Sequence, residues 1–167
     1  GFADDDGIAE ASVIFARGDE IWVALARVAR TEGWSPVGPA QLVLIDASQP
    51  SPKIVDLDGE RAGVQGLAVP GIGIRQMRRD PLDPDRVYLL VNGIVAVDLA
   101  ARTADWVVSD EQMAAAGITA QLLPQSFDVT EDGERIVIAA YRPDFSGVDI
   151  FTVPAQGGVP SVVVSGL

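Results

Sequence analysis

A chain of 167 residues with 48% hydrophobic content has enough apolar material for one globular core, and its formal charge of −12 sets it against phosphate backbones and anionic lipid headgroups. It has no histidine and no cysteine. Those absences exclude His-based triads, thiol nucleophiles, disulfide frameworks, zinc fingers and most zinc or iron centres, all of which need imidazole or thiolate.

Chemistry done by this chain alone must come from carboxylates, arginines, hydroxyls or a bound ion. Lys53 is the only lysine, and its setting in "PSPK" reads as an exposed loop or strand edge rather than a desolvated amine pocket. The longest weakly polar stretch, "GVQGLAVPGIGI", is interrupted by Gly and Pro and falls short of the ~18 apolar residues a spanning helix needs. The chain begins with Gly1 and has no signal-peptide pattern, which reads as a processed product or an excerpt from something longer.

In chain order, short Val-, Ile-, Leu- and aromatic-rich runs bounded by turn residues predict strands. The first group is "SVIFA" (12–16), "IWVALARVA" (21–29), "QLVLIDA" (41–47) and "KIVDL" (53–57). A second group is "IRQMRRD" (74–80), "RVYLLV" (86–91), "GIVAVDL" (93–99) and "TADWVVS" (103–109). A third is "PQSFDVT" (124–130), "RIVIAAYR" (135–142), "VDIFTVP" (148–154) and "PSVVVSG" (160–166). The Gly- and Pro-rich stretches 30–40 and 58–71 read as loops.

Asn92-Gly93, between two apolar runs, predicts a type I′ hairpin with two positive-φ residues. "RGDE", "DPLDPD" and "TEDGE" mark further reversals, so consecutive strands are expected to be antiparallel neighbours. A single short helix is predicted at about 110–116, from a capping box of Ser109 and Gln112, three alanines and Gly117 as the stop.

The groups repeat. Second strands align as "EIWVAL", "RVYLLV" and "RIVIAA", and third strands as "LVLIDAS", "IVAVDLA" and "IFTVPAQ". The expected fold class is all-β: three four-stranded antiparallel meanders at 12–57, 74–109 and 124–166, each the size of a propeller blade. Stacked blades would keep both faces of a middle strand dry. Ile136, Ile138 and Ala140 would meet one neighbour, and Val137, Ala139 and Tyr141 the other.

"DVTEDGERIVIAAYRPDFSGVDIFTVPAQGGVPSVVV" (128–164) resembles a TolB-type β-propeller repeat: an acidic turn, Asp-Gly, an apolar strand, an Asp-Ile-aromatic strand, Gly-Gly and a closing strand. "DPLDPDRVYLLVNGIVAVDLAARTADWVV" (80–108) resembles, more loosely, the variant found in bacterial surface propellers. The resemblance implies a propeller segment, part of a six- to eight-blade ring, acting as a non-enzymatic scaffold for a protein partner in a bacterial envelope, periplasmic or extracellular assembly. Its alternative is a non-catalytic portion of a propeller-containing hydrolase whose active-site residues lie outside this chain. The implied partner is protein: remaining blades, a second copy or another subunit. Nucleic acid, membrane insertion and cofactors are not expected.

Three patterns could carry chemistry. The acidic turns at Asp128 to Gly133, Asp56 to Gly59 and "DDDG" (4–7) invite a calcium reading, but an EF-hand glutamate would fall on Ala139, or the loop would start on Ile54 or Phe2, so Asp-Gly turns are expected and no metal site. "GIGIRQ" lacks the third glycine and the helix of a dinucleotide loop. Arg75, Arg78 and Arg79, on an expected innermost strand, could offer guanidinium forks to a carboxylate or phosphate beside a channel, or could pair with Asp80, Asp83 and Asp85. No carboxylate pair among 24 acidic residues stands out for hydrolysis, and Trp22, Trp34 and Trp106 read as packing.

Overall fold

The computed structural model describes residues 10–29, 33, 35–36, 38–118, 126–142 and 144–167. The fold is all-β, with one short helix among the described residues. Contacts divide it into two compact units, Gly1–Arg75 with Arg102–Ala104, and Gln76–Ala101 with Asp105–Leu167.

In the first unit, β1 (Ala11–Arg17) and β2 (Glu20–Leu25) form a hairpin closed by Gly18-Asp19. Gly18 has φ 55, the positive first central residue that a type II′ turn requires. The run read as one strand over 21–29 is broken. Arg27 takes φ 51, which turns the chain out of register after Leu25, and β3 (Val28–Ala29) pairs separately with β4 (Ser35–Pro36). β5 (Gln41–Asp46) lies beside β2, β6 (Lys53–Val55) beside β5, and β7 (Leu67–Ala68) also pairs with β5, so the stretches expected to be plain loops each contribute a short strand.

Register settles which side chains share a face, because directly paired residues project to the same side. Phe15, Trp22 and Leu44 form one row and are buried, with the rings of Phe15 and Trp22 stacked at 6.3 Å. Ile14, Val23 and Val43 form the adjacent row on the opposite face.

The second unit holds two meanders. One runs β8 (Gln76–Arg79), β9 (Arg86–Leu90), β10 (Ile94–Asp98) and β11 (Thr103–Val108). After α1 (Asp110–Ala115), the other runs β12 (Ser126–Val129), β13 (Arg135–Tyr141), β14 (Val148–Pro154) and β15 (Ser161–Val164). Ser109 and Gln112 make the reciprocal bonds of a capping box at the start of α1. Among the described residues none of these sheets closes on itself.

Tyr88, Leu90, Ile94 and Ala96 of one sheet share a core with Phe127, Ile136, Ile138 and Phe151 of the other. β9 and β10 are dry on both faces, since Val87, Leu89, Val95 and Val97 on their other side are also fully buried. β13 is dry on only one. Ile136, Ile138 and Ala140 are buried, whereas on the other side Val137 and Ala139 keep partial access and Tyr141 is exposed, with only Thr152 of the paired row buried there.

The β9–β10 turn corrects the type I′ expectation. Leu90 pairs with Ile94, Val91 N–H donates to the Gly93 carbonyl at 2.9 Å, and neither Asn92 nor Gly93 has positive φ. Gly93 is required for another reason: a β-carbon there would run into the Val108 carbonyl oxygen and the Trp106 ring. Close approach of β11, not torsion, selects glycine here.

Candidate functional site

The arginine strand is split. Arg75 belongs to the first unit, while Arg78 and Arg79, consecutive on β8 in the second, project to opposite faces. Arg78 shares a row with Tyr88. Its guanidinium lies 5.8 Å over the Phe127 ring, its Nε is 3.4 Å from Asp128 Oδ1, and its Nη1 donates to the Met77 carbonyl at 3.0 Å. These contacts engage Arg78 within its own unit. Partial burial lowers the Arg75 guanidinium from its ordinary value, and an arginine so shifted still stays cationic at neutral pH.

The aspartates beside this strand do different work. Asp80 Oδ1 accepts from Leu82 N–H and Asp83 N–H, its Oδ2 accepts from the Tyr88 hydroxyl at 2.9 Å, and Asp83 Oδ1 accepts from Asp85 N–H. "DPLDPD" is therefore a self-closed carboxylate turn. Burial, then the bond to Asp80, pushes the Tyr88 phenol up to about 12, the direction opposite to that of an activated base or nucleophile.

The other acidic turns are organised in the same way. Asp132 Oδ1 accepts from the Thr130 hydroxyl at 2.6 Å and from Glu134 N–H, which holds its carboxyl below the usual range, and Gly133 completes the turn at φ 68. Asp56 Oδ1 accepts from Asp58 and Gln65 N–H groups, and Asp58 pairs with Arg61 at 3.2 Å. No group of three or more carboxylates among the described residues could hold a metal ion. "DDDG" and Trp34 lie outside the described residues, whereas Trp22 is buried core.

A cleft of about 240 Å³ opens in the first unit between Gln41, Asp58, Arg61, Gln65 and Leu67. Its carboxylate, Asp58, is already paired with Arg61 at 3.2 Å. The Gln41 side-chain oxygen is buried without a partner. The cleft can accept a hydrogen bond, but it brings no reacting groups together.

What remains is surface. On the first sheet the side that includes Ile14, Ile21, Val23, Ile45 and Ile54 has no charged residue in its paired rows, and Ile14 and Ile54 are 66% and 50% exposed. On the third sheet Tyr141 and Val164 are 42% and 40% exposed beside the partly covered Val137, Ala139 and Ile150. Cover is partial on both sides, since Leu25 and Val43 on the first and Thr152 on the third sheet are buried, and Asp128 and Arg135 stand among the third sheet's apolar side chains. Exposed apolar side chains grouped on one side of a sheet mark a candidate docking surface. The sequence signal for it was present in "SVIFA", "KIV" and "RIVIAAY", which are apolar at both odd and even positions, but nothing within a strand says which side its neighbour takes.

No protein-family model matches the chain, and no curated protein matches it. No helix among the described residues is long and apolar enough to cross a membrane.

Proposed function

We propose that this chain is a propeller-type segment of three blades that acts as a non-enzymatic scaffold, docking protein through its uncovered sheet faces in a bacterial envelope or extracellular assembly. The observation that supports it most is a contrast at equivalent positions. Phe127 pairs with Ile138 as Ile14 pairs with Val23, yet Phe127 is 2% exposed and Ile14 is 66% exposed. A residue chosen for a dry position stands uncovered. The hydrogen-bonded acidic turns, the high Tyr88 pKa and the split arginines add no catalytic group to weigh against this reading.

The absence of cysteine provides a clean test. Ile14→Cys and Val164→Cys report on the two faces, and Glu131→Cys on an exposed turn serves as control. In the producing cell, maleimide should label both face positions much more slowly than the control. Equal labelling at all three sites in folded protein would overturn the reading.

A further inference from the structure

We propose that Asn92 is a self-modifying site: in the folded chain its side-chain amide is lost as ammonia through attack by the Gly93 nitrogen, and the carboxylate that replaces it releases the β9–β10 turn from α1. Asn92 is the only asparagine of the chain, and it stands directly before a glycine, the neighbour that hinders such an attack least because it has no side chain. Packing keeps that neighbour in place. A β-carbon at Gly93 would run into the Val108 carbonyl oxygen and the Trp106 ring, so no residue that would shield the asparagine fits there. The turn is held by Val91 N–H donating to the Gly93 carbonyl at 2.9 Å, a bond that engages the oxygen of Gly93 and not the attacking nitrogen.

The reaction needs no co-reactant but water. The Gly93 backbone nitrogen gives up its proton and bonds to Asn92 Cγ, the Cγ–Nδ2 bond breaks, and Nδ2 leaves with the added proton as ammonia, closing a succinimide ring. Water then opens the ring at either carbonyl. Opening at Cγ leaves an isoaspartate's ordinary isomer, aspartate, with its carboxylate on the side chain; opening at the backbone carbonyl leaves isoaspartate, whose main chain runs through one extra carbon. Either product carries one negative charge more than the amide did. In the intact turn Asn92 Nδ2 donates to Asp110 Oδ2 at 3.0 Å, and Glu111 follows Asp110 in the first turn of α1. An oxygen that can only accept takes the donor's place, so the bond becomes a contact between like charges. Because α1 connects β11 to β12 and buries Met113 in the core that their sheets share, the lost bond loosens the turn of one sheet from the helix that joins it to the other. Until then the same bond protects Asn92: it holds the amide by its leaving nitrogen, and the Asp110 charge disfavours loss of the Gly93 proton.

Intact-mass spectrometry of the purified chain held in mildly alkaline buffer tests this, with circular dichroism to confirm folding and peptide mapping to place the change. The folded wild type should gain about one dalton at Asn92, faster as pH rises, and Asp110→Ala should gain it severalfold faster. Asp110→Ser serves in its place should the alanine variant misfold. Asn92→Asp, which carries the aspartate product, should unfold at a lower urea midpoint than Asn92→Ala at low salt, and the gap should close at high salt as the repulsion from Asp110 and Glu111 is screened. A folded chain whose Asn92 stays intact over the time in which the urea-unfolded chain is fully converted would overturn the site. An unchanged rate in the Asp110 variant would overturn the protection, and an Asn92→Asp midpoint at or above that of Asn92→Ala would overturn the release of the turn.

Discussion

The Tyr88 hydroxyl donates to Asp80 Oδ2 at 2.9 Å, tying a fully buried ring on β9 to the solvent-facing turn that precedes it. The same carboxylate accepts two backbone N–H groups through its other oxygen, so Asp80 anchors the turn more than it serves the tyrosine. Tyr88→Phe should therefore cost about 1 kcal/mol, and Asp80→Ala about 2–3 kcal/mol, by urea unfolding at neutral pH.

Because the Tyr88 pKa is raised in the folded state, its contribution to stability is complete below about pH 10 and is lost as pH rises from about 10 toward about 12. The hydroxyl reaches the exposed Asp80 turn, so the loss should be about 1–2 kcal/mol rather than the ~3 kcal/mol of two full units. Ultraviolet titration should show one tyrosine ionising late, and Tyr88→Phe should remove both the late transition and the alkaline loss. Ionisation of Tyr88 near 10 would contradict it.

Asp149 should govern part of the acid side. Its Oδ1 accepts from Gly166 N–H at 2.8 Å, from Arg142 Nε at 2.9 Å and from the Ser165 hydroxyl at 2.9 Å, and the Gly166 bond leads in holding its carboxyl below the usual range. A depressed folded pKa contributes stability above the ordinary aspartate value, and that contribution is lost as pH falls below about 4 through the folded value. Asp149→Asn should flatten the acid limb of a midpoint-against-pH curve. An unchanged limb would show the network to be inert.

Gly93→Ala should destabilise by about 1–3 kcal/mol, by crowding Val108 and Trp106 rather than by torsional strain. Asn92→Ala, which removes the 3.0 Å bond to Asp110, should cost under about 1 kcal/mol. A Gly93→Ala loss no larger than that of Asn92→Ala would overturn the close-approach account.

At the Arg78–Phe127 contact, burial should outweigh charge. Arg78→Ala removes an ion pair and a ring contact that both face water and should cost about 0.5–1.5 kcal/mol, whereas Phe127→Ala opens a cavity worth about 3–5 kcal/mol. Comparable losses would mean the guanidinium is far less hydrated than its exposure indicates.

The strands of the second unit are legible in the sequence to within a residue or two, because "RVYLLV", "GIVAVDL" and "VDIFTVP" are short, β-branched and closed by turn residues. The break at Arg27 is not legible. "IWVALARVA" has no Gly or Pro, and a positive φ at arginine leaves no compositional trace. Gly93 is legible as a turn but not in its mechanism, since the carbonyl that demands it is that of Val108, on the far end of β11. Of the candidate site, apolarity on both sides of the strands could be read. Which side another sheet covers is a property of packing between sheets, and a single strand does not encode it.

The double burial of β9 and β10 has a consequence for motion. Amide exchange needs local opening, and opening is cheapest where one side of a sheet already meets water. The amides of Val87 to Leu90 and Val95 to Val97 should be the slowest to exchange with deuterium, and those of β1, β6 and β15 the first to go. Isotope exchange would thus separate strands that are dry on both sides from those with one side open, and occupation of the Ile14 and Val137 faces should slow exchange in β1, β6 and β15.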